Sequence, residues 1–524
     1  MKYFTVIALL LLSCSGPRYD ILIKGASVYD GSGSPPTVTD VAINADTIAA
    51  IGNLASANAG RTIEASGLAL SPGFIDLHAH IEPLLGLPAA ESHVRQGVTT
   101  ALGGPDGSSP WPFGKYLDSA ARAGIGINVA YLVGHNTIRR QVMGLENRDP
   151  APDELSRMKD YVALGMQEGA FGLSTGLKYL PGTFSKTAEV IELSKAAAQQ
   201  GGFYTSHLRE EGLGLLEGVA EAITISREAG IPVVLTHHKA IGVSMWGASV
   251  KTLAMVDSAR KLGLDIMIDQ YPYTASHTGL AVLIPPWALE GHPVKEFTKR
   301  TDNPALRKKI KEGVVFNILY DRGGKDLNRI QFSQVSWDST LEGKTLRDWL
   351  VREGVEPTVE NGADFVIEAQ RRGGAGAIFH AMDEGDVQRI LKHPMTMVAS
   401  DGGLQKFGEG HPHPRAYGTF PRVLGRYVRE LKVLSMEEAL HKMTGMPAGR
   451  MGLSDRGYIR KGHCADLVVF DPATIDEKGT FEDPHQYPVG IHFVIINGTV
   501  AVEEGRFTGS ARGRVLRGRA YTRD

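Results

Sequence analysis

His78 and His80 close the run Ser71-Pro-Gly-Phe-Ile-Asp-Leu-His-Ala-His80. Phe74, Ile75 and Leu77 give that run the apolar content of a short buried strand, and Pro72-Gly73 punctuates its start. Residues i and i+2 of a strand face the same side, so both imidazoles can aim at one point. Two neutral imidazoles aimed at one point make a seat for Zn²⁺ or a similar divalent ion. A lone His-x-His is more ordinarily a packed pair, because histidine is common at intermediate burial. Here further polar residues end other apolar runs: Asp106, His135, Lys178, His207, His237 and Asp401. Polar side chains at such ends cost burial energy unless partnered. His238, next to His237, must point the opposite way on a strand. His135 reads equally as a packing residue, a support for a ligand or a substrate contact.

The elements that must position these residues alternate along the chain. Strand-like runs at Val98-Thr-Thr-Ala-Leu102, Ile127–His135, Ala170–Leu177, Gly202–His207, Pro232–His237, Leu264–Tyr271 and Met395–Asp401 are separated by helical periods. With the opening strand they make eight β-α units between about 71 and 455. That pattern predicts an α/β fold, a closed (β/α)8 TIM-like barrel, whose chemistry sits at strand C-termini. Short alternating strands at 20–70 and again at 456–524 predict a small β-sandwich domain built from both chain ends. The segment 285–365 is longer than a βα loop requires and reads as an inserted lid or subdomain.

Of 524 residues, 42% are hydrophobic and 22% charged, a globular composition, and the net charge of −2 gives no electrostatic case for nucleic acid. Residues 1–14 read as a bacterial lipoprotein signal. Lys2 is a short basic start, Phe4–Leu12 an apolar core too short to span a bilayer, and Leu11-Leu-Ser-Cys14 the cleavage and lipidation site. A plain secretory signal is the alternative. Lipid on Cys14 would place the protein in the cell envelope, periplasmic or outer-membrane, tied to the membrane through that anchor only. Cys464 is then the one thiol left, so no internal disulfide and no cysteine-based zinc site can form. Oligomeric state is not legible.

The chain resembles the amidohydrolase superfamily and, within it, the D-aminoacylase (N-acyl-D-amino-acid deacylase) family. The resemblance rests on the His78/His80 run, Gly97-Val-Thr-Thr100, Gly169–Leu177, Ser206-His-Leu-Arg209, Thr236-His-His-Lys239, Asp269-Gln-Tyr-Pro-Tyr273, Ser400-Asp-Gly402 and His411–Arg422. Lys461-Gly-His-Cys-Ala-Asp-Leu-Val-Val-Phe470 resembles the superfamily's closing sandwich strand. It implies one or two divalent ions, Zn²⁺ first, held by His78, His80, His207, His237 and Asp401, with Asp401 also acting as general base and acid. A free substrate carboxylate needs a cationic partner, and Arg415 is the best candidate because a guanidinium forks onto a carboxylate; Lys239 and Tyr271 (rather than Tyr273) match family positions that grip the same group. The reaction implied is hydrolysis of the amide of an N-acyl-D-amino acid or a D-residue dipeptide. A cyclic amidase of the dihydroorotase or hydantoinase type, a dipeptidase, or a non-catalytic lipid-anchored binding protein are the alternatives. One departure stands out. The family's best-known members carry a cysteine ligand after Gly-Val-Thr-Thr, where this chain has Gly103-Gly-Pro-Asp-Gly107. A carboxylated Lys178 bridging the ions is the preferred substitute for that thiolate. A free Lys178 and a directly coordinating Asp106 are the alternatives.

Overall fold

The computed structural model describes residues 18–522. The expected lipoprotein signal, residues 1–14, and with it Cys14, lies outside the described residues. No helix among those described is long and apolar enough to cross a membrane.

Eight strands form the barrel: β1 (Phe74–Asp76), β2 (Val98–Gly103), β3 (Asn128–Tyr131, continued at Val133–Gly134), β4 (Gly172–Gly176), β5 (Phe203–His207), β6 (Val233–Leu235), β7 (Ile266–Gln270) and β8 (Thr396–Val398). Each pairs in parallel with the next. The ring closes just beyond the strands, where Gly402 and Gly403 pair in parallel with Ala79 and His80. Asp76 supports this closure, accepting from Ser400 N at 2.9 Å while Asp401 N donates to His78 O at 2.9 Å. Alternation along the strands sorts the apolar residues into two buried clusters. Phe74, Ala101, Val129, Val233 and Val398 pack with the helices. Their neighbours Ile75, Leu102, Ala130, Val234 and Met397 pack together with Phe171, Phe203, Met446 and Met451, as a barrel filled by side chains requires.

Both chain ends meet in one β domain with its own buried cluster. Its hydrogen bonds join nine strands into a single sheet, and Leu467–Phe470 from the C-terminal part pairs antiparallel with Ala69–Pro72 from the N-terminal part. The expected limit at 524 is too generous. Beyond Arg506–Phe507 the chain leaves the sheet and runs along the barrel base, where Val129 N donates to Arg514 O and Gly518 N to Gly169 O.

The insertion is also wider than 285–365. Ser276–Gly279 and Ile330–Gln334 both pair antiparallel with Gly376–Phe379. Strand pairing therefore sets its limits at 276 and 379, outside the charged helices Lys295–Asp302 and Pro304–Asn317 that mark it in the sequence.

Candidate metal centre and active site

The residues at the strand ends converge on a cavity of about 520 Å³, lined also by the insertion. Three of them hold unusual backbone: Asp106, His237 and Asp401 have φ of +53°, +37° and +49°. Non-glycine residues enter that region sparingly, and neighbours must enforce it. Asp269, fully buried on β7, accepts from His237 N at 2.5 Å. Ser174 on β4 holds the Asp106 loop, accepting from Gly107 N at 3.1 Å and donating to Gly104 O at 2.6 Å. A Cβ at Gly107 would stand 2.3 Å from Asn136 Oδ1, and one at Gly176 only 2.2 Å from Asp106 O, so both glycines are needed for that loop to seat.

Asp106 is the hub. Its Oδ1 lies 3.5 Å from His78 Nε2 and 3.3 Å from His237 Nε2; its Oδ2 lies 3.6 Å from both His80 Nε2 and His207 Nδ1. Asp401 Oδ1 lies 3.2 Å from His80 Nε2 and 3.5 Å from His78 Nε2. His207 Nδ1 and His237 Nε2 approach to 2.7 Å. Two groups able to hold a cation result, His78, His80, Asp106 and Asp401, and Asp106, His207 and His237, with each group's donor atoms within 4.8 Å of one another. A divalent ion suits this set. Nε2 of His78 and Oδ1 of Asp106, which face one another, are buried without a hydrogen-bond partner, a cost that coordination removes. Imidazole and carboxylate are donors that Zn²⁺ accepts. Burial pushes both carboxyls up. His78, His237 and His207 outweigh it and hold Asp106 well below the usual range, and the Arg415 guanidinium leads the same effect on Asp401.

A second wall of the cavity is cationic. Arg415 Nη1 lies 2.8 Å from Asp401 Oδ2, and its guanidinium sits 4.6 Å from the Tyr271 ring centroid. Lys239 is buried and paired with Glu211, and its Nζ lies 2.7 Å from His237 Nδ1. Tyr273 is turned to Glu477 at 2.8 Å instead, leaving Tyr271 on the cavity.

The structure does not bring Lys178 into either group. Its ammonium pairs with Glu210 at 2.8 Å and Asp321 at 3.5 Å, and it does not line the cavity. The carboxylate common to both groups is instead Asp106, on the Gly-rich loop after β2, while Lys178 lies beyond the end of β4. His135 is also absent from the cavity, its Nε2 bonded to Glu189 at 2.7 Å. His238 points away, to Thr252 Oγ1 at 2.8 Å. Sequence reasoning does not single out Glu211, Arg322 or Tyr179, all of which line the cavity. For Glu211 a signal exists, a carboxylate four residues past a strand-end histidine. For Arg322 there is none, since the insertion's placement is set by tertiary pairing.

The profile of the amidohydrolase family matches residues 61–310 and 327–502. The chain belongs to the amidohydrolase family. Within that family it is 36% identical to D-aminoacylase of Alcaligenes xylosoxydans xylosoxydans, over 95% of this chain and 97% of that protein. A solved D-aminoacylase with a binuclear metal centre superposes with a TM-score of 0.82 at 34% identity, covering 95% of this chain and all of that one. The N-acyl-D-glutamate deacylase of Bordetella bronchiseptica, solved with zinc and a phosphonate inhibitor, gives a TM-score of 0.82 at 32% identity over 96% of this chain and all of that one. Both ends of the family match fall in the β domain, so the match spans barrel and β domain together.

Proposed function

We propose that this amidohydrolase cleaves the amide bond of N-acyl-D-amino acids, releasing a carboxylate and a free D-amino acid. The observation that carries the reading is the convergence of four histidines on Asp106, with Asp401 and a buried cationic wall on the same cavity. The similarity to D-aminoacylase supports the choice of substrate.

His78, His80, Asp106 and Asp401 would hold one divalent ion, and Asp106, His207 and His237 a second. Bound there, Zn²⁺ supplies Lewis acidity, polarising a carbonyl and bringing a water's pKa from near 16 to about 7. The chain's own groups do the rest. Arg415 takes the substrate carboxylate through its planar fork, with Lys239 and Tyr271 beside it. That fixes the scissile carbonyl towards Asp106 and Asp401. Asp401 is held ionised by Arg415 and can accept the attacking water's proton. It returns that proton to the departing amine nitrogen. The insertion strand Ser276–Gly279 lines the same cavity.

A panel of N-acetyl-D- and N-acetyl-L-amino acids with and without chelator tests the reading. Hydrolysis confined to the D-series, lost on chelation and restored by Zn²⁺, is expected. Equal turnover of both series, or none, would sink it. The Leu11-Leu-Ser-Cys14 run supports a further part of this reading, a lipid anchor in the cell envelope. Mass analysis of the mature N-terminus should find acyl chains on Cys14, and an unprocessed Met1 would exclude them.

A further inference from the structure

His207 and His237 stand between two carboxylates. His207 shows Nδ1 to Asp106 at 3.6 Å and Nε2 to Glu211 Oε2 at 3.5 Å. His237 shows Nε2 to Asp106 at 3.3 Å and Nδ1 to Glu211 Oε1 at 3.1 Å. Glu211 is 4% exposed and is the buried partner of Lys239. Nothing in the reaction derived above uses it.

The two sides of the imidazole pair are not equivalent. On the Asp106 side stand His78, His80 and Asp401, all donors for a cation. On the Glu211 side the place of a cation is already taken by Lys239 Nζ. A neutral imidazole offers one lone pair and one N–H. We infer that Glu211 is the positioning residue of the second ion. It faces Nε2 of His207 and Nδ1 of His237, so that with their N–H groups turned to it both lone pairs face Asp106, and it holds Lys239 in place for the substrate carboxylate.

This inference rests on the ligand set proposed above and adds a coupling within it. His237 Nδ1 cannot donate to Glu211 and accept from Lys239 at once. A cation on Nε2 fixes the choice: the proton stays on Nδ1, Glu211 accepts it, and Lys239 keeps its remaining N–H groups for the substrate. Loading of the second ion and capture of the substrate carboxylate therefore share one residue. Outer partners of this kind commonly change metal affinity by about 10–100-fold.

The test is a titration of the metal-stripped full chain with Co²⁺, followed by its visible absorption and by metal analysis after gel filtration. Glu211→Gln should weaken one of two equivalents by about 10–100-fold and leave the other unchanged. Glu211→Asp should recover part of the loss, and Glu210→Gln should behave as wild type. Because Glu211→Gln strands a buried ammonium, Glu211→Gln with Lys239→Met is the second variant, and it should show the same weakened equivalent. Wild-type affinity for both equivalents in the double variant would overturn the inference. Co²⁺ binding is read without substrate. A wild-type protein that binds two ions but hydrolyses no N-acyl-D-amino acid would therefore count against the proposed reaction and leave this result standing.

Discussion

The cation-holding floor of the cavity and its anion-holding wall are built by different means. The floor comes from the ends of β1, β5 and β6, the loop after β2 and the segment just past β8, and it needs only barrel closure. Asp76, Ser174 and Asp269, themselves barrel residues, hold its strained backbone. The wall is assembled from far apart. Lys239 and Tyr271 follow β6 and β7, while Arg415 opens the helix Arg415–Arg422. That helix is gripped by a segment of the β domain: Glu477 pairs with Arg422 and accepts from Tyr273, and His485 Nδ1 lies 3.1 Å from Tyr417 Oη. The floor gathers imidazoles and carboxylates that face one another across a gap a cation would fill, whereas the wall's cations Lys239 and Arg415 each lie within ion-pair distance of a carboxylate. Chemistry set by barrel closure can thus sit on the floor, and discrimination among substrates on a wall that loops and a second domain can reshape.

The comparison predicts a split between turnover and binding. Asp401→Asn keeps the shape of the floor but removes the base. We expect kcat to fall on the order of 10²–10⁴-fold with a small change in KM. A fall in kcat of less than tenfold would move the proton transfer elsewhere. Arg415→Met strikes the wall instead. A hydrogen bond to a charged group contributes about 1.5–3 kcal/mol, so KM should rise about 10–100-fold for N-acyl-D-amino acids. The corresponding amides, which lack the carboxylate, should show no such rise. Equal effects on acid and amide would remove Arg415 from carboxylate recognition. Glu477→Gln acts one step further out, loosening Tyr273 and Arg422. A stability loss of about 1–2 kcal/mol, seen as a lower thermal midpoint, and a KM increase smaller than that of Arg415→Met are expected.

The same division explains what the amino-acid order reveals. The floor is legible because each of its residues ends an apolar run, and the barrel rule places such ends together. His78, His80, His207, His237 and Asp401 all obey it. Asp106 half obeys it: it lies three residues past β2, on a Gly-rich loop whose reach depends on contacts with Ser174 and Asn136. The wall is legible at Lys239 and Tyr271, which follow strands and match family positions, and at Arg415 through the fork its guanidinium offers a carboxylate. Glu211 leaves one local mark, its place four residues past a strand-end histidine, whereas Arg322 is hidden because no local period marks a residue that becomes buried by tertiary contact. The limits of the insertion and the course of the C-terminal tail fail for one reason, since pairing between distant strands leaves no local trace.

The smallest expected effect concerns Lys178, and it decides which side chain completes the floor. A carbamate on this lysine would put a negative charge against Glu210 and Asp321, its present partners. Like charges so close repel. The ammonium, by contrast, is matched there, and Asp106 already supplies a carboxylate to both groups of histidines. Lys178→Gln should therefore keep the full metal content of the wild type and cost no more than about 1 kcal/mol, as a partly exposed ion pair does. Asp106→Ala should lose metal from both groups at once. If Lys178→Gln instead lost an ion while Asp106→Ala kept both, the lysine would be the bridging ligand, and the loop after β2 would have to swing aside to admit it.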